Sequence, residues 1–510
     1  MVKRPGGALL PNIAIDHAAS LPIATQLYVA LRDLILAGTV AHGTRLPATR
    51  TLARDIGVSR TTVIEAFDRL NLDGIVDSHV GVGTVVSASL DLERPSATPH
   101  EPASGPTPPL ARAAVAALSS LAERPRLPYA PRAFVTGLPA FDAFPMAQWS
   151  RLAARHWREP RQAVMGYGSP VGEARLRQAI AAHLGANRGI TCEPEQIFIV
   201  GGAQQAFLHI GTMLLDPGDA VWFENPGAIG ARNGLLATGA RLVPVPVDAE
   251  GLQVAEGTHR SPHFRLAFVT PSHQQPLGHI MSIERRLALL RAAQRAGAWI
   301  VEDDYDGEFC FGRRPLSTLK SIDSGGRVLY VGTFSKSLFP ALRLGFIVAP
   351  PVLVEPLSRI SVAASAGVPA ATQAIVASFI EEGHFASHIR RMRRIYEERH
   401  ATLVEAARDL RGILDVAPTD SGLHTVGALP ETLPECAVAE AAAARGIVVA
   451  SVGRYAIEKV ARNGLVLGFG GVRPHEIRAG IRTLGEVLHD MSVRLLRPIP
   501  RSRGRPRVAA

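Results

Sequence analysis

Cysteine and long apolar runs are scarce in this sequence, which narrows the class of protein before any motif is considered. The 510 residues include three cysteines, Cys192, Cys310 and Cys436, whose wide separation matches no metal-binding or disulfide spacing. No uninterrupted apolar run is long enough to span a bilayer, and the N-terminal stretch lacks the long apolar segment of a signal peptide. The sequence therefore predicts a chain that works in a reducing cytoplasm and does not enter a membrane.

Composition predicts more than one domain. Hydrophobic residues make up 47% of the chain, enough for a large core, and the formal net charge of +10 favours polyanionic partners. Prolines are concentrated between residues 94 and 128, which is typical of a semi-rigid linker. We therefore predict a small domain at 20–88, a linker at 89–128, a large domain at 129–492 and a basic, disordered tail at 493–510.

The small domain begins with an amphipathic helix. Leu27, Leu31 and Leu34 share one helical face, and the helix is delimited by Pro22 and Gly38. The residues of that face predict packing against further helices of the same domain.

The next segment, RLPATRTLARDIGVSRTTVIEAFDRL, predicts a helix-turn-helix. Thr49 or Thr51 is placed to cap a second helix, Gly57 to turn the chain, and Ser59 to cap a third helix. Two short helices joined by a turn that contains glycine form this motif. The segment IVDSHVGVGTVV then predicts two short strands around a Gly-rich turn, as in a wing.

The N-terminal end of the third helix is where this motif enters the major groove, and the helix dipole there favours phosphate. The candidate DNA contacts around this end are Arg50, Ser59, Arg60, Thr61 and Thr62, and those in the wing are His79, Gly81 and Gly83. A three-helix interaction module that binds no nucleic acid is the alternative. The stretch RLPATRTLARDIGVSRTTVIEAF resembles the GntR-type winged helix, and this resemblance implies an operator read by a dimer.

The large domain alternates apolar strand-like runs with helical runs, which predicts an α/β fold with a mainly parallel sheet. Four predicted strands are each followed by a segment that could contact a ligand. QIFIV precedes the glycine turn GGAQ, and polar residues follow the other three: RLAFV before TPSHQQ, WIV before EDDYD, and VLYV before GTFSK. Ligands bind beyond the carboxyl ends of such strands. We therefore expect these four segments to form one site.

The residue types at these strand ends match the needs of pyridoxal 5′-phosphate. Lys336 supplies an amine for a Schiff base with the aldehyde, Asp303 a carboxylate for the pyridine nitrogen, and Tyr305 a donor for the ring hydroxyl. A solvated lysine and an exposed acidic turn are the structural alternatives. The phosphate needs cations and donors, which we assign to Arg343, Ser335 and the backbone amides of Gly202, Ala203 and Gln204.

The motif SK-x-x-x-P-x-x-RLGF and the segments YGSPVGEARLRQAIAAHL and DPGDAVWFENPG resemble fold-type I pyridoxal-phosphate enzymes of the aminotransferase class, over about residues 130–490. The resemblance implies a smaller C-terminal subdomain after the main sheet. It also implies that Tyr167, the tyrosine of the YG pair, reaches the phosphate of the cofactor bound by the partner subunit.

A GntR-type winged helix joined to an aminotransferase-like domain resembles the MocR family of bacterial transcription regulators. The resemblance implies a homodimer, domain-swapped head to tail, in which the DNA-binding unit of one chain lies over the cofactor domain of the other. It further implies a sensor of pyridoxal 5′-phosphate or of a small amino compound as effector. A working aminotransferase with an accessory DNA-binding domain is the alternative function.

Several positions depart from the family pattern, so substrate specificity does not carry over. Ala228 stands where an aromatic residue often follows the PG pair, and Gln275 replaces an aromatic residue in HQQPLG. The position of the substrate-carboxylate arginine is Gly464, with Arg454, Arg462 and Arg473 nearby.

The basic tail contains PRSRGRPRV, whose Arg-Gly-Arg-Pro core resembles an AT-hook. Such a segment places its arginines, here Arg503 and Arg505, in a narrow A·T minor groove. Solvated charge without a binding role is the alternative.

Overall fold

The structure is a computed structural model, and it describes residues 13–79, 83–87, 109–123, 131–311, 317–365, 367–416 and 418–496. Contacts between residues divide the chain into two compact units, Met1–Pro109 and Leu110–Ala510. Of the predicted DNA contacts, Gly81, Arg503 and Arg505 lie outside the described residues. Within the described part, no helix is both long and apolar enough to cross a membrane.

The first unit is a helix-turn-helix with a two-stranded wing, as predicted. Its elements are α1 (Ile23–Leu36), α2 (Thr49–Ile56), α3 (Arg60–Leu72), β1 (Val76–His79) and β2 (Gly83–Val86), and the two strands pair antiparallel. The three helices and the wing enclose one apolar core whose members include Leu27, Leu31, Leu52, Val63, Phe67 and Leu70.

Local chemistry explains the turn between α2 and α3. Gly57 ends α2 with φ of 69°, a left-handed conformation that glycine adopts without strain. Ser59 caps α3 as predicted, because its hydroxyl accepts a hydrogen bond from the backbone N–H of Thr62. The predicted threonine cap of α2 is wrong: α2 follows Ala48 and has no side-chain cap, since Thr49 is already its first helical residue.

The second unit contains fifteen further α-helices within the described residues. They are α4 (Arg112–Ser120), α5 (Met146–His156), α6 (Arg161–Met165), α7 (Ala174–Arg188), α8 (Ala203–Leu214), α9 (Ile229–Leu236), α10 (Val254–Arg260), α11 (Ile283–Ala296), α12 (Leu319–Ile322), α13 (Phe334–Ser337), α14 (Val354–Ala364), α15 (Ala370–Glu381), α16 (His384–Ala406), α17 (Glu435–Ala444) and α18 (Pro474–Leu496).

An eight-stranded sheet forms the centre of this unit. Its strands are β3 (Ile197–Val200), β4 (Ala220–Asn225), β5 (Arg241–Asp248), β6 (Gly251–Leu252), β7 (Leu266–Val269), β8 (Trp299–Asp304), β9 (Val328–Thr333) and β10 (Gly345–Val348). The spatial order is β3-β10-β9-β8-β7-β4-β5-β6, with parallel pairing from β9 to β5 and antiparallel pairing at both ends. The prediction of a mainly parallel α/β sheet is confirmed.

The central strands are buried on both faces, which explains their continuous apolar runs. All residues of β3, β4, β7 and β10 are buried, and separate apolar clusters pack above and below the sheet. Polar side chains therefore appear only where these strands end, at the edge that the cavity described below occupies.

A smaller antiparallel sheet follows, in agreement with the predicted C-terminal subdomain. It consists of β11 (Asp415–Val416), β12 (His424–Ala428), β13 (Ala450–Ser451) and β14 (Gly464–Gly468), in the order β11-β12-β14-β13. The long helices α16 and α18 pack against each other beside it.

Two observed segments bear on the predicted boundaries. Within the predicted linker 89–128, residues 109–123 include the helix α4. The residues after this helix bond to α9: Ala122 exchanges two hydrogen bonds with Asn233, at 2.8 and 2.9 Å. At the other end, α18 continues to Leu496, so residues 493–496 of the predicted disordered tail are helical.

Candidate functional site

A cavity of about 220 Å³ lies at the carboxyl ends of the central strands. Seven of the nine residues that the sequence assigns to the cofactor line it, namely Ala203, Gln204, Asp303, Tyr305, Ser335, Lys336 and Arg343. The other two do not: Gly202 is the N-cap residue of α8, and Tyr167 is 97% exposed on the surface of the single chain. One concave site therefore collects residues that are far apart in sequence.

Lys336 lies on the one-turn helix α13, directly after β9. The hydroxyl of Thr333 accepts a hydrogen bond from the N–H of Ser335, at 3.2 Å, and this cap fixes the start of the turn. The ammonium group reaches across the cavity and donates to the carbonyl of Gly137, at 2.7 Å. A Cβ at residue 137 would lie 3.0 Å from Nζ, so the glycine leaves room for the amine.

Asp303 is buried in the cavity wall with one oxygen unpaired. Its Oδ1 atom finds no hydrogen-bond partner among the described residues. Burial raises the pKa of Asp303 well above its usual range, and the neighbouring carboxylates of Asp304 and Asp306 raise it further. A cationic N–H donor in the cavity would satisfy this oxygen and compensate its charge.

The next residue, Asp304, points to the opposite face of the strand and has a different role. It forms a buried ion pair with Arg188 and accepts a hydrogen bond from the hydroxyl of Tyr330, at 2.6 Å. The alternation of side chains along β8 therefore separates an acid that lines the cavity from an acid whose Oδ2 is held in the core by an ion pair and a hydrogen bond.

The anion-binding end of the cavity is built from a helix N-terminus and a guanidinium group. Gly202 caps α8 with φ of 104°, and a Cβ added there would lie 3.5 Å from Nη2 of Arg343. Arg343 itself has φ of 49°, which is uncommon for a residue with a side chain. The helix dipole, this cation and the hydroxyl of Ser335 together make a site suited to phosphate.

Two residues that the sequence analysis missed, His273 and Asp306, lie behind the tyrosine of the site. Nδ1 of His273 lies 3.0 Å from the hydroxyl oxygen of Tyr305 and 2.9 Å from Oδ2 of Asp306. Burial, together with Asp306 and Asp303, raises the pKa of Tyr305 well above its usual range. The phenol is therefore held as a neutral donor at any physiological pH.

His424 was also missed, and it comes from the smaller sheet. Its ring lies 4.8 Å from that of His273, and its Nε2 lies 3.1 Å from the carbonyl oxygen of Pro276. Burial lowers the pKa of His424 well below its usual range, so the imidazole is neutral. No local pattern indicated this residue, because it reaches the cavity only when the two sheets pack together.

The remaining wall contains the positions that depart from the family pattern. Ala228 and Gln275 both line the cavity, beside Ile229 and Tyr455. Among the three arginines considered near Gly464, Arg454 lines the cavity, whereas Arg462 lies 3.1 Å from His279 and Arg473 pairs with Asp142. Arg454 is therefore the candidate, of these three, for an effector carboxylate.

In the first unit, the described DNA-contact candidates lie on an exposed surface. Arg50, Ser59, Arg60, Thr61 and His79 are exposed, while Thr62 is half-buried against the Ser59 cap and Gly83 is half-buried in the wing. Nε of Arg60 donates to the hydroxyl of Thr49, at 3.4 Å, which joins α3 to α2.

Sequence reasoning missed one more cation on this surface. A Cβ added at Gly83 would lie 2.9 Å from Nε of Arg45, so the Arg45 guanidinium lies against the wing. Arg45 also forms an isolated bridge with Val85. The wing thus has a positive charge at its base, although its own described strands carry none.

Comparison with known proteins identifies both units. Residues 23–86 match the family described as bacterial regulatory proteins, gntR family, and residues 138–459 match aminotransferase class I and II. The crystal structure of LysN, an α-aminoadipate aminotransferase from Thermus thermophilus complexed with N-(5′-phosphopyridoxyl)-L-leucine, superposes with a TM-score of 0.66 and 29% identity. It covers 71% of this chain and 92% of that one.

Two relatives match nearly the whole chain. The probable rhizopine catabolism regulatory protein MocR of Rhizobium meliloti is 41% identical over 97% of this chain and 99% of its own length. The HTH-type pyridoxine biosynthesis transcriptional regulator PdxR of Corynebacterium glutamicum is 31% identical over 90% of this chain and 94% of its own length. The chain thus contains a winged helix and an aminotransferase-type domain, and its relatives match it over both. It belongs to the MocR family of GntR-type transcriptional regulators.

Proposed function

We propose that this regulator binds pyridoxal 5′-phosphate at the cavity, senses a small amino compound there, and changes its affinity for an operator DNA in response. The single observation that carries the proposal is the buried, unpaired Oδ1 of Asp303 in the same cavity as the Lys336 amine and the Arg343 guanidinium. A buried charge of this kind is costly unless a cation meets it.

Each residue has a distinct task in this proposal. The cofactor, when bound, supplies an aldehyde that an amine can capture and a ring that stabilises negative charge. Lys336 holds the aldehyde covalently, Asp303 accepts a hydrogen bond from the ring nitrogen, and Tyr305 donates to the ring oxygen. Arg343, Ser335 and the α8 N-terminus bind the phosphate.

Recognition of DNA is assigned to the first unit. Arg60 and Thr61 lie in the first turn of α3 and face solvent, which suits contact with base edges and phosphates in the major groove. Arg50 and Arg45 add positive charge beside this turn and at the wing. We infer that the protein binds its operator in the bacterial cytoplasm as a homodimer that is domain-swapped head to tail.

Tyr167 supports the dimer rather than the single-chain site. An aromatic side chain that is 97% exposed has no structural role within its own chain. In the proposed dimer it contacts the cofactor phosphate in the partner subunit. Tyr167→Phe should then weaken cofactor binding without changing the thermal stability of the cofactor-free chain.

The cavity wall is also connected to the segment that follows the linker. The first turn of α9 lines the cavity with Ile229 to Ala231, and the next residue but one, Asn233, holds Ala122 by two hydrogen bonds. Nη2 of Arg454, whose side chain lines the same cavity, donates to the carbonyl of Glu123, at 3.3 Å. An effector that engages Arg454 would therefore alter how the end of the linker is held.

A working aminotransferase is the second candidate, because the amine, the acid and the phenol of the site are all present and converge on one cavity. Screening amino acids and amines for a spectral shift of the bound cofactor would identify the effector or amino donor.

One experiment tests the covalent part of the proposal. The protein is purified with pyridoxal 5′-phosphate, reduced with borohydride and digested, and the added mass is expected on Lys336. Lys336→Ala is the control that should carry no label. Label on another lysine, or none, would overturn the cofactor assignment.

A second experiment separates regulator from enzyme. Gel shifts on the gene's own upstream DNA are expected to show binding that changes when an active amine is added to the cofactor-loaded protein. Absence of DNA binding together with fast amino-group transfer would favour the aminotransferase instead.

A further inference from the structure

A buried histidine and a buried aspartate, His273 and Asp306, lie behind the tyrosine of the cavity. His273 is 1% exposed, and Asp306 is 2% exposed. His273 comes from the loop after β7, whereas Tyr305 and Asp306 follow β8. The three side chains meet at the single atom Nδ1 of His273, which lies 3.0 Å from the Tyr305 hydroxyl oxygen and 2.9 Å from Oδ2 of Asp306.

The geometry decides which group holds the proton. If Nδ1 carried only a lone pair, it would face the carboxylate oxygen of Asp306 at 2.9 Å with no hydrogen between them, which is repulsive. Nδ1 therefore carries a hydrogen and donates it toward Asp306. The Tyr305 oxygen near the same N–H is then an acceptor, so its own hydrogen must point elsewhere.

Two glycines fix the imidazole in this orientation. A Cβ at Gly422 would lie 2.1 Å from Cε1 of His273, and a Cβ at Gly278 would lie 3.1 Å from its Nε2. The ring thus fills a slot that no larger residue at these positions would leave open. Nε2 finds no hydrogen-bond partner among the described residues, so the contacts of Nδ1 determine the tautomer.

We propose that His273, oriented by Asp306, is a positioning residue that turns the hydroxyl hydrogen of Tyr305 into the cavity. The inference rests on the proposed cofactor function, since the acceptor for that hydrogen is the ring oxygen of pyridoxal 5′-phosphate. A donated hydrogen bond stabilises negative charge on this oxygen and so lowers the pH at which the bound chromophore loses its proton.

Several other groups act on the same phenol, and the test must hold them constant. Besides His273 and Asp306, the titratable and charged groups that face Tyr305 or line the same cavity are Asp303, Glu224, His424, Lys336, Arg343, Arg454 and Tyr455. The variants therefore change only the histidine, its aspartate and the phenol itself.

The experiment measures the near-visible absorption of the cofactor-loaded, full-length protein as a function of pH. Tyr305→Phe defines the effect of losing the donor, expected as a rise of about one pH unit in the midpoint, the size of one hydrogen bond to a charged oxygen. His273→Leu should raise the midpoint by most of that amount. His273→Asn, whose amide nitrogen can take the place of Nδ1–H, should stay near the wild-type value.

The double variant His273→Leu/Tyr305→Phe distinguishes positioning from a general structural effect. If the histidine acts through the phenol, the double variant shows the same midpoint as Tyr305→Phe alone, whereas additive shifts would refute the proposal. If His273→Leu does not fold, Asp306→Asn replaces it, because without a carboxylate at 306 the imidazole hydrogen can move to Nε2, and Nδ1 can then accept the phenol hydrogen and draw it out of the cavity. Asp306→Asn is expected to raise the midpoint.

Two further outcomes would overturn the inference. The first is a wild-type midpoint in His273→Leu while Tyr305→Phe is shifted. The second is a change in the wild-type spectrum on treatment with EDTA, since His273, Asp306 and His424 offer atoms within 4.8 Å of one another and an ion among them would replace the proposed hydrogen bonds. Absence of any cofactor band in the wild type would instead refute the proposed function itself.

Discussion

The unpaired oxygen of Asp303 predicts that one substitution has opposite effects with and without cofactor. In the cofactor-free protein at neutral pH, folding either buries an unpaired carboxylate or makes it take up a proton, and both lower stability. Asp303→Asn keeps the shape and removes the charge. We predict that it stabilises the cofactor-free protein by about 1–2 kcal/mol at pH 8, because an unpaired neutral amide is less costly to bury than a charge.

The sign of the pH dependence follows from the raised pKa. The carboxyl of Asp303 ionises more readily in the unfolded chain than in the folded one, so its destabilising effect is absent below about pH 4 and grows as pH rises. The stabilisation by Asp303→Asn should therefore be smaller at pH 5 than at pH 8. Thermal melts of the cofactor-free wild type and variant at both pH values measure this difference.

With cofactor the effect should reverse. The amide cannot compensate a protonated ring nitrogen, and loss of one partner from a buried charged pair costs about 3 kcal/mol, which is roughly a 100-fold weaker Kd. Equilibrium dialysis of pyridoxal 5′-phosphate measures this directly. Two results would show that Asp303 does not contact the ring nitrogen. One is a lower melting temperature of cofactor-free Asp303→Asn than of the wild type, and the other is an unchanged Kd for the cofactor.

Asp304→Asn is the matched control, one residue away in the same strand. Asp304 neutralises the buried Arg188 and accepts from Tyr330, so its loss leaves a guanidinium buried without its partner. We expect destabilisation of about 3 kcal/mol both with and without cofactor. Opposite behaviour of two adjacent carboxylates would be hard to explain by any general effect of charge.

Three further predictions concern DNA binding, pH and the linker. Arg60→Ala should weaken operator binding about tenfold and reduce the slope of log affinity against log salt by about one. Arg359→Ala, on the exposed surface of the second unit, should change neither quantity. Equal losses of affinity in the two variants, measured by fluorescence anisotropy, would count against a DNA contact by α3. Burial raises the pKa of Glu224 to about 7, above its value in the unfolded chain. The free energy of unfolding of the cofactor-free protein should therefore fall as pH rises from about 4.5 to 7. Equal free energies of unfolding from denaturant titrations at pH 5 and pH 8 would contradict this. Asn233→Ala should leave cofactor binding intact but reduce the effector-dependent change in operator affinity; an unchanged response would exclude this route.

Most of the residues that the sequence assigns to the cofactor line one cavity because they occupy strand ends. Buried parallel strands read as apolar runs, and the polar residues that follow them must meet at one edge of the sheet. Lys336 and Asp303 were found in this way. The cluster EDDYD still left several carboxylates to choose from, and only the alternation along β8 separates Asp303 in the cavity from Asp304 in its ion pair with Arg188.

Other residues of the site could not be predicted, because their contacts join distant parts of the chain. His424 lies about 150 positions from His273, and the two rings meet only after the smaller sheet packs on the larger one. The helix α4 was not predicted, because it lies in a segment whose prolines indicated a linker. The residue after it that bonds to Asn233, Ala122, is more than a hundred positions away from that asparagine. Local pattern contains no information about such pairs.

The linker contacts also set a limit on how strongly this route can transmit a signal. Ala122 is held by two hydrogen bonds, and Glu123 and Ser120 by one each, and each net hydrogen bond contributes about 1 kcal/mol. An effector that broke all four would thus shift the linker equilibrium by about 4 kcal/mol, or somewhat less than about 1,000-fold. A larger effector-dependent change in operator affinity would require a route other than these hydrogen bonds, and the Asn233→Ala variant would then retain most of the response.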